Sequence, residues 1–158
     1  MLQLNVRTIE LDEDLSVSLR LTSKAIGAYL KTWGETGQLP LAVLMRATEE
    51  YEPRASLLNG AMKYPDNQNK IKTGDELLDM LSAAGFGWDD VNELIVELMR
   101  DAGFVDDENR DILIDSLRKN TRRVISQFAD LLSGEGPSGP ENAPEKDEEE
   151  NPTSTRRK

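Results

Sequence analysis

Residues 88–102 read WDDVNELIVELMRDA and contain the clearest helical pattern of the chain. The apolar side chains recur at intervals of three or four residues, which places them on one face of an α-helix. They are Val91, Leu94, Ile95, Leu98, Met99 and Ala102. Asp89 is the predicted N-cap, and Gly103 supplies the left-handed residue that commonly ends a helix. We therefore expect an amphipathic helix whose apolar face is buried in a helical domain.

Five further helices are predicted on the two sides of this segment. A threonine or serine can cap the first, a proline suits the first turn of the second, and Thr73 with Glu76 fits a capping box. Glycine or proline marks most of the ends. In chain order, these helices are predicted from Thr22 or Ser23 to Gly34, from Pro40 to just before Pro53, from Arg54 to Tyr64, from Thr73 to Ala84, and from Asp106 to about Leu132.

Two stretches near the N-terminus alternate apolar and polar residues. The first contains Leu2, Leu4 and Val6, and the second, after the acidic turn at residues 12–14, contains Leu15, Val17, Leu19 and Leu21. A period of two on both sides of a polar turn predicts a β-hairpin with one apolar face. Because two strands alone are marginally stable in water, the helices that follow should cover that face. The predicted fold class is α+β, mainly helical, with an N-terminal β-hairpin packed against about six helices.

The composition changes at Gly134. From there to the C-terminus the chain is rich in glycine, proline and charged residues, and it contains no apolar residue larger than Ala143. Such a segment buries too little surface to offset its conformational entropy. The sequence therefore predicts a helical domain with the hairpin at residues 1–133 and a disordered, Pro/Glu-rich acidic tail at residues 134–158.

Two residue types that carry much enzyme chemistry are missing from the chain. It contains no cysteine and no histidine, so thiol catalysis, disulfides, thiolate metal sites and imidazole acid–base catalysis are excluded. An enzyme would depend on carboxylates, lysines or hydroxyl groups alone. These absences favour a protein that binds other proteins over one that catalyses a reaction.

The formal net charge of −11 bears on the choice of partner. Nucleic-acid affinity depends largely on Lys and Arg displacing counterions from phosphates, so direct DNA or RNA binding is not expected. No run near eighteen consecutive apolar residues is present, and the N-terminus lacks the pattern of a signal peptide. The sequence therefore predicts a cytoplasmic protein that does not bind membranes.

No metal ion or cofactor is predicted. Loops that start at Asp66, Asp101 or Asp106 lack the glycine and glutamate of a calcium-binding EF-hand. The acidic runs at residues 89–90 and 106–108 suit the N-termini of helices. No glycine-rich phosphate loop is present. A carboxylate pair of the glycosidase type stays open, since separation in space cannot be read from the sequence. The low aromatic content, 5%, argues against a sugar-binding cleft.

The candidate partner-binding residues are basic or aromatic. The basic group lies in the predicted last helix, whose apolar residues are spaced alternately three and four apart. These basic side chains could bind an acidic partner, could bind the chain's own acidic tail, or could simply be solvated. Two aromatic residues precede or begin the helix at residues 88–102, and Trp88 is the better candidate for an exposed anchor. The six candidates are Phe86, Trp88, Arg118, Lys119, Arg122 and Arg123.

In its layout the chain resembles the tail assembly chaperones of long-tailed (siphovirus-type) bacteriophages. The resemblance covers roughly residues 1–105 and is one of element order. It is carried by the N-terminal hairpin leading into LRLTSKAI at residues 19–26, by LLNGAMKY at residues 57–64, and by GWDDVNELIVELM at residues 87–99. Residues 106–158 have no counterpart in the resemblance.

The resemblance implies a non-enzymatic role in virion tail assembly. Members of that family coat the aggregation-prone, helical tape measure protein and help to recruit tail tube subunits onto it, and they are often made in two lengths by a ribosomal frameshift. No catalytic residue is implied, and self-association is an open possibility. Two alternatives from the residues themselves stay open, namely an acidic adaptor or inhibitor that binds a basic protein and a carboxylate-based hydrolase.

Overall fold

The computed structural model describes residues 5–63 and 71–134. It confirms the predicted fold class, an N-terminal antiparallel hairpin followed by six helices. The chain divides into two compact units, residues 1–122 and residues 123–158. The elements are β1 (Arg7–Asp12), β2 (Leu15–Leu19), α1 (Ser23–Trp33), α2 (Pro40–Glu49), α3 (Tyr51–Met62), α4 (Gly74–Ala83), α5 (Trp88–Asp101) and α6 (Asp107–Leu132). The predicted acidic tail lies, from residue 135 onward, outside the described residues.

The first strand of the hairpin lies later in the chain than the alternation of Leu2, Leu4 and Val6 predicts. β1 begins at Arg7, and Val6, just before it, is exposed. Ile9 pairs with Val17, and the register is irregular between Glu10 and Asp12. Leu2 and Leu4 lie outside the described residues, and the prediction of Val6 as a strand residue was wrong. The alternation of Ile9 and Leu11 is shifted by one residue from that of Leu2, Leu4 and Val6, and it lies closer to the turn, where Ile9 can pair with Val17 of β2.

The apolar face of the hairpin is covered by a helix, as a two-stranded sheet requires. Val17 and Leu19 of β2 are fully buried, and β2 lies against α3. The Arg20 amide, just after β2, donates a hydrogen bond to the Ala61 carbonyl of α3 at 3.0 Å. The hairpin is thereby fixed to the helical core.

Two helix starts follow the predicted capping chemistry. The Thr22 hydroxyl accepts the Ala25 amide at 3.1 Å at the start of α1. The Thr73 hydroxyl accepts the Glu76 amide at 3.2 Å at the start of α4, and the Glu76 carboxylate accepts the Lys72 amide. Each contact satisfies a backbone donor that has no partner inside the helix.

The two predicted boundaries around Pro53 and Asp89 were wrong. Pro53 lies in the first turn of α3, which begins at Tyr51, because proline is tolerated where the amide has no helical partner. Gly87 is the N-cap of α5, and its amide donates to the Asp90 carboxylate at 2.8 Å. Asp89 therefore lies inside the first turn of α5 and does not cap it.

The core lies in the first unit and centres on α3 and α5. Eight residues of α5 are buried, including the polar Asn92 and Glu97, so the helix is enclosed on more than the one face that its apolar stripe predicts. The fully buried apolar side chains come from β2 and α2–α5. Within the described residues, no helix is both long and apolar enough to cross a bilayer.

Candidate partner-binding surface

The N-terminal part of α6 belongs to the core of the first unit. The Asp106 carboxylate accepts the Asn109 amide at 2.8 Å just before the helix, as an N-cap does. Ile114 is only 8% exposed. Leu113 and Leu117 are partly buried and pack against the same core. The apolar side of α6 is therefore covered in this unit.

Polar contacts with α5 add to this packing. The Arg118 guanidinium donates to the Glu93 carboxylate at 2.6 Å. The Thr121 hydroxyl donates to the Asp89 carboxylate at 2.7 Å. Asp89, which the sequence predicted to cap α5, therefore contacts α6. An ion pair between exposed side chains contributes little stability, which leaves the apolar contacts of Ile114 as the main attachment.

In the second unit, α6 continues to Leu132 and exposes its apolar side chains to solvent. Five large side chains are each 60–74% exposed, and their spacing places them on one side of the helix. We call this surface the α6 apolar face, and it consists of Val124, Ile125, Phe128, Leu131 and Leu132.

The α6 apolar face is larger than an ordinary scatter of exposed apolar residues. Its five large side chains are each exposed by well over half, and an apolar patch of neighbouring exposed side chains on a monomer often marks an interaction site. An isolated apolar residue at the surface needs no explanation, but five on one helix face do. The arrangement suits the capture of another amphipathic segment.

The two aromatic candidates lie in the first unit, near the start of α5. Phe86 is partly buried against the core, and its amide donates to the Leu81 carbonyl. Trp88 is 44% exposed, and the Arg54 guanidinium lies 3.4 Å from the centroid of its ring. A partner can therefore reach part of Trp88, while Phe86 is mainly a core residue.

Arg54 supports Trp88 from within the core. Its guanidinium is 1% exposed, and it donates to the Ala47 carbonyl at 2.9 Å and to the Asn92 side-chain oxygen. Burial lowers the pKa of Arg54 to about 10, so the group is still charged at neutral pH. These hydrogen bonds hold the Arg54 guanidinium where it makes a cation–π contact with the indole ring of Trp88.

The four basic candidates differ in whether they form ion pairs with described residues. Arg118 pairs with Glu93, and the Lys119 ammonium lies 2.9 Å from the Asp115 carboxylate. The hydrogen bond from Lys119 lowers the pKa of Asp115. Arg122 and Arg123 are exposed and make no ion pair within residues 5–63 and 71–134. These two arginines therefore have the charges most available to a partner.

The first unit also contains an open cavity of about 960 Å³ beside β1 and α5, lined by six carboxylates. Each accepts a hydrogen bond from an arginine or a backbone amide. Glu97, the most buried, accepts from Arg7 and Arg110, and Asp101 accepts from Arg7. The other four are Asp90, Glu93, Asp106 and Asp107, paired with the Gly87 amide, Arg118, the Asn109 amide and Arg100 respectively.

This pairing gives the cavity a structural role. Arg7 joins β1 to α5 through Glu97 and Asp101, and Arg110 joins α6 to the same Glu97. Among the described residues, no group of three or more acidic side chains is arranged to hold a metal ion.

The comparisons with known proteins add no relative. No family model, no curated protein and no solved structure matches the chain.

Four of the six candidates predicted from the sequence, all basic, lie on α6, and the side chains of the α6 apolar face were not among the candidates. The signal was present, because Val124, Phe128 and Leu131 continue the alternating spacing of the last helix. Ile125 and Leu132 widen the stripe. Spacing alone does not tell whether such a stripe is buried in the domain or open to solvent.

Proposed function

We propose that the protein is a protein-binding chaperone, specifically a phage tail assembly chaperone that binds the tape measure protein and helps to recruit tail tube subunits. The observation that carries the proposal is the α6 apolar face, five large apolar side chains on one side of a helix, each 60–74% exposed. The choice of partner comes from the resemblance of residues 1–105 to that family.

A helix with an open apolar face is suited to hold a second helix. Partner side chains at intervals of three or four residues can pack along the stripe, as in other complexes between helices and apolar grooves. A net charge of −11 keeps a complex with an aggregation-prone partner in solution. The proposed complex is therefore held by apolar contact and kept soluble by charge.

The rival proposal is an acidic adaptor or inhibitor that binds a basic protein. Its binding would depend on charge and would weaken steeply between low and moderate salt, because exposed charges are screened within about 10 Å at 0.1 M salt. Capture by the α6 apolar face persists over that range, since burial of apolar surface does not depend on charge. A salt titration of the same complex separates the two.

The test is co-expression of the full chain with a tape measure protein, followed by measurement of the soluble fraction of the latter. The informative variant is Phe128→Ser with Leu131→Ser, which removes apolar surface from the α6 apolar face. The matched control is Leu39→Ser with Ile112→Ser, because these residues are 75% and 58% exposed and lie elsewhere. Both variants lose two exposed apolar side chains.

The proposal predicts that the wild type and the control variant keep the tape measure protein soluble and that the α6 variant does not. If the tape measure protein precipitates equally with and without the wild-type chain, the chaperone assignment is wrong. If both variants keep it soluble, the assignment to the α6 apolar face is wrong.

A further inference from the structure

The α6 apolar face is symmetric about its central residue, Phe128. Val124 and Leu132 lie four residues before and after Phe128, and Ile125 and Leu131 lie three residues before and after it. Because all five belong to one continuous helix, the apolar positions follow in the same order from either end. A surface with this symmetry can match a second copy of itself across a two-fold axis, as the contact of a symmetric dimer must.

We infer that the chain, when it holds no partner, forms an antiparallel dimer through the α6 apolar face. In such a pair the two Phe128 side chains meet at the centre. Val124 of one copy packs against Leu131 of the second copy, and Ile125 packs against Leu132. Every side chain of the face is then covered, and spacings of three and four residues are those of helices that pack side by side.

Charge does not oppose this contact, although the net charge of the chain is −11. Among residues 124–132 the one charged residue is Asp130. Two positions along a helix correspond to a rotation of about 200°, so Asp130 lies on the side of α6 opposite Phe128. Two copies can therefore meet through this face without burying a charged group.

The distribution of charge favours the antiparallel direction over the parallel one. Residues 1–122, which form the first unit, contain 22 acidic and 14 basic residues and precede the face in the chain. A parallel pair would bring the two acidic first units to the same end of the paired helices. An antiparallel pair places them at opposite ends, where their repulsion is weaker and more fully screened.

The size of the face makes the dimer weak. A stable interface buries about 800 Å² on each partner, and the α6 apolar face offers five side chains on two and a half turns of helix. We therefore expect a dissociation constant on the order of 100 μM. At micromolar concentrations the chain is then a monomer with Phe128 exposed, and in concentrated solution the second copy covers the face.

The inference rests on the proposed function in that both use the α6 apolar face. A chain that is paired with a second copy cannot hold a partner helix on the same side chains. Self-association and partner binding therefore compete, and the dimer keeps an apolar surface covered until a partner replaces the second copy.

Sedimentation equilibrium of the purified full chain measures the association. The wild type should be a monomer at about 1 μM and mostly a dimer at about 1 mM. Phe128→Ser with Leu131→Ser should raise the dissociation constant at least about tenfold, because apolar contact at the centre is lost. Leu39→Ser with Ile112→Ser, the matched control, should stay within about twofold of the wild type.

Cysteine cross-linking tests the direction of the pair, since the chain contains no cysteine of its own. Val124→Cys and Leu131→Cys are prepared as separate single variants. In the antiparallel pair the two copies of position 124 are offset by about 12 Å along the helices, and those of position 131 by about 9 Å. A disulfide does not span these distances, so a mixture of the two variants should cross-link at least about tenfold faster than either variant alone.

Three results would overturn the inference. A wild-type chain that is still a monomer at about 1 mM would show that a second copy does not cover the face. Equal association of the Phe128→Ser/Leu131→Ser variant and the wild type would place the contact elsewhere. Fast cross-linking of each single cysteine variant with itself would mean a parallel pair. These measurements use the chain alone, so their failure is distinct from a failure of the co-expression test.

Discussion

Alanine substitutions at Ile114 and Phe128, two apolar residues of α6, are expected to have very unequal effects on stability. Ile114 is 8% exposed and packs against the core of the first unit. Replacing it with alanine should lower the free energy of unfolding by about 3 kcal/mol, through lost burial and the cavity left behind. Phe128 is 63% exposed, so Phe128→Ala should change that free energy by no more than about 0.5 kcal/mol.

Urea denaturation of the full chain, followed by far-ultraviolet circular dichroism, measures both values. The midpoint should shift for Ile114→Ala with an unchanged slope and should stay in place for Phe128→Ala. Alanine even favours the helix over phenylalanine by about 0.5 kcal/mol. A loss above about 1 kcal/mol for Phe128→Ala would mean that the side chain is already packed in the isolated protein. The α6 apolar face would then not be open to a partner.

Three further predictions concern the first unit. Arg54→Met should lower the free energy of unfolding by about 3 kcal/mol in thermal or urea unfolding, because buried acceptors lose their donor; a neutral result would contradict the contacts of Arg54. Burial raises the pKa of Tyr29 to about 12, so between about pH 10 and about pH 12 this side chain ionises only in the unfolded chain. Its contribution to stability is therefore complete below pH 10 and is lost as the pH rises to about 12. Tyr29→Phe should flatten that part of a curve of stability against pH, and an unchanged slope would refute the assignment. Gly74→Ala should strongly destabilise the fold, because its Cβ would lie 1.9 Å from the Ala55 carbonyl oxygen; unfolding close to the wild-type temperature would show that α3 and α4 can separate.

Local chemistry explains why much of the fold could be predicted. Thr22 and Thr73 cap helices as expected because a hydroxyl group that satisfies a free amide acts over three residues. Pro53 was misplaced because proline both ends one helix and suits the first turn of another. Asp89 was misplaced because the competing cap at Gly87 uses a backbone amide and the Asp90 side chain.

The α6 apolar face was harder to predict because it consists of apolar side chains that stay exposed in the folded protein. The alternating spacing of α6 is the same on the two sides of Thr121, yet Ile114 is buried and Phe128 is exposed. Only tertiary structure distinguishes these cases. The buried Arg54 beneath Trp88 and the network around Glu97 were also invisible, since their partners are far apart in the sequence.

Amide hydrogen exchange tests most directly whether the α6 apolar face is the surface that holds a partner. The full chain would be measured alone and with a soluble helical segment of a tape measure protein. We predict slower exchange at residues 123–132 on binding, because the amides of a helix that is held by a partner open less often. A segment that binds while exchange at residues 123–132 stays unchanged would contradict this account.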